Sequence, residues 1–306
     1  MIDIAVIGAG PAGYSAAITA RKRDQSVVVI GQNTGWLARA EHVANYPGLP
    51  DISGRDLLSA MANQAQALGA ELRPGVVHQV IAMGDSFALS LGADFIEARR
   101  VILCTGAKQP KLLPGENELL GRGVSYCGTC DGMLYRGKTV VVNGGGNTAV
   151  GDALYLAKLC KKVYLVHRRD ELRASAVYRD ALRENGVEIL WNSRITALRK
   201  EKRLTGVEVE DLRTGARREL FCDGLFVAIG RVPDTALFAG QVELDPSGYI
   251  VADETTRTSV PGVFAVGDAR TKAVRQIVTA VADGAVAAHY AEEFLLEDAV
   301  KDKNLS

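Results

Sequence analysis

Two cysteines, Cys127 and Cys130, are separated by two residues and followed at once by a carboxylate, Asp131. Cysteines at this spacing can close and reopen a disulfide without unfolding the chain. A thiolate near the start of a helix is stabilised, which favours exchange with an outside disulfide. Asp131 would supply or take the proton. The segment therefore predicts a redox-active pair that receives electrons and passes them to another disulfide.

A structural zinc site is the alternative interpretation of the same pair. Such a site usually needs a second pair of Cys or His ligands, whereas Cys104, Cys160 and Cys222 are scattered singly along the chain. We therefore predict redox chemistry and no bound metal. The three single cysteines are interpreted as small structural side chains without a chemical role.

The composition is that of an ordinary globular protein. The chain has 306 residues, 47% of them hydrophobic, which favours two domains over one. Lys and Arg (36) balance Asp and Glu (36), so no net charge draws it to nucleic acid or an anionic membrane. The N-terminal strand lacks the features of an export signal, and no apolar run reaches the ~20 residues of a membrane span. We predict a cytosolic protein, in which a cycling disulfide is more usual than a permanent one.

The first glycine-rich loop lies between an apolar strand, Ile4 to Ile7, and an alanine-rich helix. It reads Gly8-Ala9-Gly10-Pro11-Ala12-Gly13. In this context Gly8 permits a tight turn, Gly10 lets the backbone approach a pyrophosphate, and Gly13 allows the helix to pack closely on the strand. The strand before it and the helix after it make the loop a prediction of dinucleotide binding.

A second glycine-rich loop follows the β-branched run Thr139 to Asn143, which is typical of a buried parallel strand. It reads Gly144-Gly145-Gly146-Asn147-Thr148-Ala149. The helix after it is predicted to end at Lys161-Lys162, because cations suit a helix C-terminus. The strand Val163 to Val166 comes next. The chain is therefore predicted to bind two dinucleotides.

The residues at the end of the strand after each loop indicate which ribose is bound. An acidic residue normally holds the adenosine ribose, but Gln32 takes that place after the first loop and is a candidate to substitute by hydrogen bonding. After the second loop this position is occupied by His167, Arg168 and Arg169, with Arg173 one turn later. Guanidinium groups bind a ribose 2′-phosphate, which a carboxylate would repel. The second loop therefore predicts NADP, the alternative being an ordinary basic loop.

With these motifs in order, the sequence resembles the low-molecular-weight, bacterial-type thioredoxin reductases over nearly its whole length. The matching stretches are Gly8 to Gly13, Asn45-Tyr46-Pro47-Gly48, Thr105-Gly106, Gly121-Arg122-Gly123-Val124-Ser125, Cys127 to Gly132, Gly144 to Ala149, His167 to Arg173, Gly230, Gly267-Asp268 and Arg275-Gln276.

The resemblance implies an α/β fold with two Rossmann-like dinucleotide-binding domains. A discontinuous FAD domain takes in residues 1–112 and 243–306. An NADPH domain that carries the redox-active cysteines, residues 113–242, is inserted between them. The resemblance also implies a homodimer.

The resemblance further implies a role for each cysteine. Cys130 is the sulfur next to the flavin ring, Cys127 attacks the partner, and Asp131 is the acid. Asp268 contacts the ribityl chain of the flavin. The other expected FAD positions are Gly8, Gly10, Pro11, Ala12, Gly13, Gln32, Gly35, Trp36, Leu37, Asn45, Gly106, Gly267, Arg275, Gln276 and Ile277. The expected NADPH positions are Gly144, Gly146, Asn147, Thr148, His167, Arg168, Arg169, Arg173, Gly230 and Arg231.

Three stretches depart from the family pattern. Gly151-Asp152 replaces two glutamates near the nicotinamide, so hydride transfer is slower or the electron donor is different. Trp36 stands in a rebuilt stretch, where core filling and flavin contact remain equally open. Met133-Leu134 replaces two aromatic residues that often help to receive thioredoxin. Met133 and Leu134, together with the retained Arg122, are the expected partner contacts.

The leading hypothesis is an NADPH-dependent flavoprotein that reduces the disulfide of thioredoxin or a thioredoxin-like protein. One alternative is the reductase of a peroxide-reducing system, which usually carries an extra N-terminal module. A second keeps FAD and the dithiol but uses another electron donor or acts as a dithiol oxidase. From a different class, the chain could be a non-catalytic nucleotide-binding module with a metal-holding cysteine pair.

Overall fold

The computed structural model describes residues 1–32, 35–108, 113–174 and 176–305. Its strands are β1 Ile2–Ile7, β2 Val27–Ile30, β3 Glu71–Arg73, β4 Gln79–Ala82, β5 Phe87–Leu91, β6 Asp94–Leu103, β7 Ala107–Lys108, β8 Val124–Ser125, β9 Thr139–Gly144, β10 Lys162–Val166, β11 Glu188–Leu190, β12 Ser193–Lys200, β13 Leu204–Asp211, β14 Arg217–Phe221, β15 Gly224–Ala228, β16 Val232–Pro233 and β17 Val263–Ala265. Its α-helices are α1 Pro11–Lys22, α2 Gly54–Ala67, α3 Gly128–Asp131, α4 Asn147–Ala157, α5 Ala176–Glu184 and α6 Ile277–Leu305.

The described chain forms two compact units, the first of which takes in residues up to Lys108 and from Val232 onward. Its parallel strands lie in the order β3-β2-β1-β6-β17, and the antiparallel β4–β5 hairpin pairs with the first half of β6. Val6 lies opposite Val29 on one side and Ile102 on the other. These strands are continuously apolar because both faces of the sheet are covered.

Helices α1, α2 and α6 cover one face of this sheet. Small residues allow α1 and α6 to pack closely: a Cβ added at Gly284 would lie 2.2 Å from the carbonyl oxygen of Ala12. Phe87, Phe238 and Ile250 belong to the core on the opposite face. The alanine-rich sequence of both helices is therefore explained by close helix packing as well as by helix propensity.

The second unit comes between these two segments in the sequence. It has its own parallel sheet, ordered β11-β10-β9-β15-β8. Helices α4 and α5 pack on one face. The antiparallel sheet β12-β13-β14 packs on the other. Each unit thus has a strand, a glycine-rich loop and a helix in succession, as predicted.

One predicted helix end was wrong. Helix α4 ends at Ala157 rather than at Lys161-Lys162, because Lys162 begins β10 and its Nζ lies 2.9 Å from the Glu188 carboxylate.

The predicted domain boundaries at 112/113 and 242/243 remain predictions. Residue 112 itself lies outside the described residues. In the described chain the second unit ends at Arg231. A search of the described helices finds none with the length and apolar character of a membrane span.

Candidate active site

The Cys127–Cys130 pair forms a disulfide in the structure, with Cα atoms 5.3 Å apart. Cys127 has an extended backbone and caps α3, so its sulfur accepts a hydrogen bond from the Cys130 N–H at 3.2 Å. The Asp131 N–H donates to the Cys127 carbonyl at 3.2 Å. The two sulfurs therefore lie within one helical turn, and the bond can open while the turn is retained.

Asp131, the predicted acid, is held beside this pair by Ser125, the last residue of β8. The Ser125 hydroxyl donates to Asp131 Oδ2 at 2.6 Å and accepts from the Cys127 N–H at 3.1 Å. One serine therefore links the carboxylate to the backbone of the first cysteine. This geometry suits a group that exchanges protons with a nearby sulfur.

The surface around the pair includes exposed apolar side chains. Met133 is 56% exposed and Leu134 is 55% exposed, in the turn just after α3. Arg122 is also exposed, and its carbonyl oxygen accepts a hydrogen bond from the Leu204 N–H. All three predicted partner contacts are therefore available at the surface of the second unit.

Glycines in both loops let the loop backbone pack closely against neighbouring backbone. A Cβ at Gly8 would lie 2.2 Å from the carbonyl oxygen of Cys104, and Gly8 has φ of +124°. A Cβ at Gly144 would lie 2.4 Å from the carbonyl oxygen of Ala228. A Cβ at Gly13 would lie 2.1 Å from the carbonyl oxygen of Gly8. Side chains are therefore excluded where each loop folds against its own sheet.

The helices after the two loops begin without the usual side-chain caps. No described side chain caps α1, which starts from Gly10 with Pro11 in its first turn, or α4, which starts from Gly146. By contrast, the Ser53 hydroxyl caps α2 by accepting the Asp56 N–H at 3.1 Å. No acidic residue occupies the first turn of α1 or α4. The helix N–H groups are thus left for an anion, as dinucleotide pyrophosphates require.

Space for that anion is present at both loops. A Cβ at Gly10 or Gly146 would meet no described atom within 4 Å. Ala12 follows Gly10 on α1, and Asn147 and Thr148 open α4. Both loops therefore fit the phosphates of FAD and NADPH.

The basic residues after β10 separate into two environments. His167 is buried, and its ring lies under Gly145, where an added Cβ would be 2.1 Å away. Its Nε2 is 3.0 Å from the Glu171 carbonyl oxygen, and burial lowers the pKa of the imidazole. Arg168, Arg169 and Arg173 are exposed. His167 therefore supports the loop from below, while the three arginines face solvent.

Those arginines form an uncompensated cationic group. Arg173 is tied to the loop, because its N–H donates to the Gly145 carbonyl at 2.9 Å. Within the described ranges no carboxylate forms an ion pair with Arg168, Arg169 or Arg173. Excess positive charge at this point fits the 2′-phosphate of NADPH. Gly230, with φ of +107°, and Arg231 follow β15 in the same unit.

In the first unit, two predicted flavin residues that are distant in sequence meet. Asn45 Nδ2 donates to Gln276 Oε1 at 3.0 Å. Gln32 is exposed at the end of β2. Gly35 precedes the turn Trp36–Arg39. The structure therefore brings the Asn45 and Gln276 side chains together at the start of α6, which begins at Ile277.

Trp36 is not part of the apolar core. Leu37 and Ala38 pack against that core. Trp36 is half-buried, and the guanidinium carbon of Arg39 lies 4.9 Å from the centroid of the Trp36 ring. The two interpretations that the sequence left open, core filling and flavin contact, both stay predictions.

Gly267 and Asp268 form a turn directly after β17, held by a buried ion network that the sequence analysis missed. Asp283 of α6 accepts from the Gly267 N–H at 2.8 Å, from Arg270 Nη2 at 2.9 Å and from Lys272 Nζ at 2.7 Å. Burial raises the pKa of Asp283, but these charged hydrogen bonds outweigh it and lower the pKa overall.

Arg275 follows the network and stacks on Tyr249, with its guanidinium carbon 4.1 Å from the ring centroid. Its buried Nε has no hydrogen-bond partner among the described residues. Gly106, with φ of +73°, turns the chain at the end of β6 in the same unit. A buried guanidinium nitrogen without a protein partner fits a site that FAD completes.

Residues 2–284 match the family described as pyridine nucleotide-disulphide oxidoreductase. The chain belongs to this family. It is 44% identical to a thioredoxin reductase of Streptomyces clavuligerus, over 96% of this chain and 94% of that one. It is 42% identical to a thioredoxin reductase of Treponema pallidum, over 96% and 97%. The crystal structure of a Streptococcus pyogenes thioredoxin reductase, 37% identical, matches with a TM-score of 0.91 over 97% of this chain and 99% of that one.

Family membership confirms the resemblance, the fold class and the reaction class predicted from the sequence. Thioredoxin reductases of the pyridine nucleotide-disulphide oxidoreductase family use FAD and NADPH, so the two predicted cofactors are confirmed. The closed disulfide between Cys127 and Cys130 fits the redox-active centre of such an enzyme. The roles assigned to single residues stay predictions.

The family pattern gave no indication of the position that Asp152 occupies. The residue is only 8% exposed, and its carboxyl group accepts a hydrogen bond from the Gly128 N–H at the start of α3. Burial raises the pKa of Asp152 to about 6, although this bond and Arg231 act in the opposite direction. No sequence signal predicts the contact, because α3 and α4 are separate elements.

The three single cysteines have protonated thiols. Burial raises the pKa of Cys104 far above its usual range, the pKa of Cys222 to about 12 and the pKa of Cys160 to about 11. Across residues 1–32, 35–108, 113–174 and 176–305, no three His, Cys, Asp or Glu side chains are grouped to hold a metal ion.

Proposed function

We propose that the chain is an NADPH-dependent flavoprotein that reduces the disulfide of thioredoxin or a thioredoxin-like protein. The observation that carries the proposal is the Cys127–Cys130 disulfide with Asp131 beside it, in the unit that also holds the arginine-flanked glycine loop. When bound, FAD receives two electrons from NADPH and supplies them to this disulfide.

The residues of the chain would hold the two cofactors by their phosphates. The N-termini of α1 and α4 receive the pyrophosphates, and Arg168, Arg169 and Arg173 receive the 2′-phosphate of NADPH. Asp268, Arg275 and the Asn45–Gln276 pair contact FAD. The uncapped helices and the uncompensated arginines support these assignments.

Once reduced, the two cysteines transfer their electrons to the partner by exchange. The Cys127 thiolate attacks one partner sulfur, so that a mixed disulfide forms and the second partner sulfur leaves as a thiolate. Cys130 then attacks Cys127, which restores the Cys127–Cys130 bond and releases the first partner sulfur. Two protons complete the partner thiols, and Asp131 is the acid that delivers one of them. The partner is reduced by two electrons and the cysteine pair is oxidised by two.

Met133, Leu134 and Arg122 form the surface that receives the partner. Exposed apolar side chains together with an exposed arginine in the same unit suit a small protein that binds transiently. We also propose a homodimer in the cytosol, in keeping with the family and with the sequence prediction. Light scattering of the purified holoprotein measures its mass and tests the dimer.

The decisive experiment replaces either sulfur of the pair. Cys127→Ser or Cys130→Ser should lower the rate of NADPH-dependent reduction of oxidised thioredoxin at least ~1000-fold, because the exchange needs both sulfurs. Cys160→Ser is the control and should keep the wild-type rate. Undiminished reduction by either active-site variant contradicts the proposal. A colourless preparation that contains zinc supports the metal-holding module instead.

The choice of donor is tested at the arginines. Arg168→Ala with Arg169→Ala should raise KM for NADPH by about 10- to 100-fold and leave KM for NADH nearly unchanged, because only NADPH carries the 2′-phosphate. Arg218→Ala, an exposed arginine on β14, is the matched control. Equal loss with both nucleotides removes the phosphate-binding assignment.

A different donor is the second candidate, favoured by the residues at positions 151 and 152. Gly151 has no side chain, and the Asp152 carboxyl is directed at Gly128. Anaerobic NADPH should bleach the yellow flavin absorbance if NADPH is the donor. Bleaching by dithiothreitol but not by NADPH would favour the alternative donor.

A further inference from the structure

Asp152 is a buried carboxyl group to which the disulfide exchange described above assigns no step. It lies in the second turn of α4, the helix that follows the glycine loop. Its hydrogen-bond donor is the Gly128 N–H, in the first residue of α3. Gly128 is also the residue next to Cys127. The carboxyl group therefore contacts the redox-active turn from a different helix.

The contact leaves almost no space. A Cβ added at Gly128 would lie 2.6 Å from both Cγ and Oδ1 of Asp152. Real Cβ atoms do not approach other atoms so closely, so the carboxyl group and the Gly128 backbone are in full contact. Any movement of the Asp152 carboxyl must therefore change the environment of the turn that holds the cysteines.

The charges around Asp152 come from few groups. Arg231, after β15, is the cation that acts on Asp152, and the titratable side chains of the turn that it contacts are Cys127, Cys130 and Asp131. Asp131 differs from it because its carboxylate accepts a hydrogen bond from the Ser125 hydroxyl. The redox-active turn therefore has two carboxyl groups, Asp131 within it, held by Ser125, and Asp152 buried against its Gly128 backbone.

We propose that Asp152 is a positioning residue for the redox-active cysteines: its carboxylate holds the Gly128 end of α3, and its negative charge restrains ionisation of the reduced Cys127 thiol. A nearby negative charge disfavours a thiolate, whereas loss of that charge favours it. The inference deepens the proposed function and rests on it.

Alkylation of Cys127 tests the proposal without a partner protein or NADPH. The full-length holoprotein carries Cys130→Ser, so that Cys127 cannot re-form the disulfide. The rate of reaction with iodoacetamide is measured from pH 5 to 9.5, and peptide mapping separates Cys127 from Cys104, Cys160 and Cys222. This rate follows the thiolate fraction.

Asp152→Asn is the informative variant, because the amide oxygen can still accept the Gly128 N–H while the charge is removed. At pH 6.5 to 7.5 it should speed alkylation of Cys127 by about three- to tenfold, with no change in the plateau rate at high pH. An unchanged pH profile in a variant that melts normally overturns the proposal.

The pH profile of the Cys130→Ser protein, measured before any substitution of Asp152, provides a second test. Because burial raises the pKa of Asp152 to about 6, the logarithm of the alkylation rate should rise with a slope below one per pH unit around pH 6. Asp131→Asn should keep this shallow region, whereas Asp152→Asn should restore a slope of one. A uniform slope of one before any substitution of Asp152, or loss of the shallow region only in Asp131→Asn, overturns the proposal.

The outcome is separable from that of the proposed function. A protein that fails to reduce thioredoxin but shows the expected alkylation profile contradicts the function alone. A protein that reduces thioredoxin but shows an unaltered profile in Asp152→Asn contradicts only the role of Asp152.

Discussion

A carboxyl group is buried on an α-helix in each unit, Asp283 in the first and Asp152 in the second, and the two have opposite surroundings. Asp283 in the first unit receives a backbone N–H and the cationic groups of Arg270 and Lys272. Asp152 in the second receives one backbone N–H, with Arg231 as the cation that faces it. Burial raises the pKa in both places, but only at Asp283 do the donors outweigh it and lower the pKa overall.

The comparison teaches that burial does not by itself decide whether a carboxyl group is charged; the number and charge of the donors decide it. In the first unit the charged donors fix the Gly267–Asp268 turn at the predicted flavin site. In the second unit the sparse donors leave a group that titrates near pH 6 beside the cysteines. The first arrangement suits rigid positioning, and the second suits a response to pH.

Removing the well-compensated carboxylate should have the largest effect on stability. Asp283→Ala leaves Arg270 and Lys272 buried without their partner, so it should lower the free energy of unfolding by about 3–5 kcal/mol. Urea denaturation of the holoprotein measures the change. Glu293→Gln on the same helix breaks an exposed pair with Arg257 and should cost about 0–1 kcal/mol. Similar losses of unfolding free energy in the two variants would contradict the difference expected between the buried Asp283 network and the exposed Glu293 pair.

The poorly compensated carboxylate should behave in the opposite way. The folded pKa of Asp152, about 6, lies above the 3.8 that is usual for an aspartate, so between these pH values the folded state binds more protons than the unfolded state. The contribution of Asp152 to the free energy of unfolding of the wild type therefore falls as pH rises towards about 6. Asp152→Asn should be more stable than wild type by about 1–3 kcal/mol at pH 8, with the difference vanishing towards pH 4.

Unfolding of both proteins at several pH values checks this expectation. Asp170→Asn, at an exposed carboxylate that pairs with Arg213, is the control and should show little difference at any pH. A destabilised Asp152→Asn at pH 8 would mean that the charge is better compensated than the contacts indicate.

The smallest effect is expected at the neighbouring glycine. A Cβ at Gly151 would meet no described atom within 4 Å, so Gly151→Ala should raise stability by about 0.5–1 kcal/mol through helix propensity. Gly145→Ala is the matched comparison, because its Cβ would lie 2.1 Å from the His167 ring, and it should destabilise. Thermal melting measures both changes, and a loss at Gly151 would contradict the open space seen there.

The glycine loops could be predicted from the sequence because each depends on neighbouring residues. A strand, Gly8 to Gly13 and a helix follow one another directly, as do β9, Gly144 to Ala149 and α4. The pair of cysteines is similarly local. The family resemblance, which implied the fold class, depends on such short-range motifs.

The two carboxylate sites could not be predicted, because they depend on contacts between separate elements. Asp152 meets Gly128 across two helices, and nothing in the spacing of 24 residues indicates it. The end of α4 was missed for the same reason: Lys162 pairs with Glu188 on the adjacent strand instead of capping a helix. Local propensity cannot anticipate a partner that the tertiary fold supplies.

Strands β7 and β16 pair antiparallel, with Lys108 opposite Val232 and Ala107 opposite Pro233. Paired strands of this kind hold opposite Cα atoms about 4.5–5.5 Å apart. The point at which the chain leaves the first unit thus adjoins the point at which it returns. A short linker from Lys108 to Val232 could therefore close the first unit, and foreign sequences could be grafted at the same junction without spreading its ends.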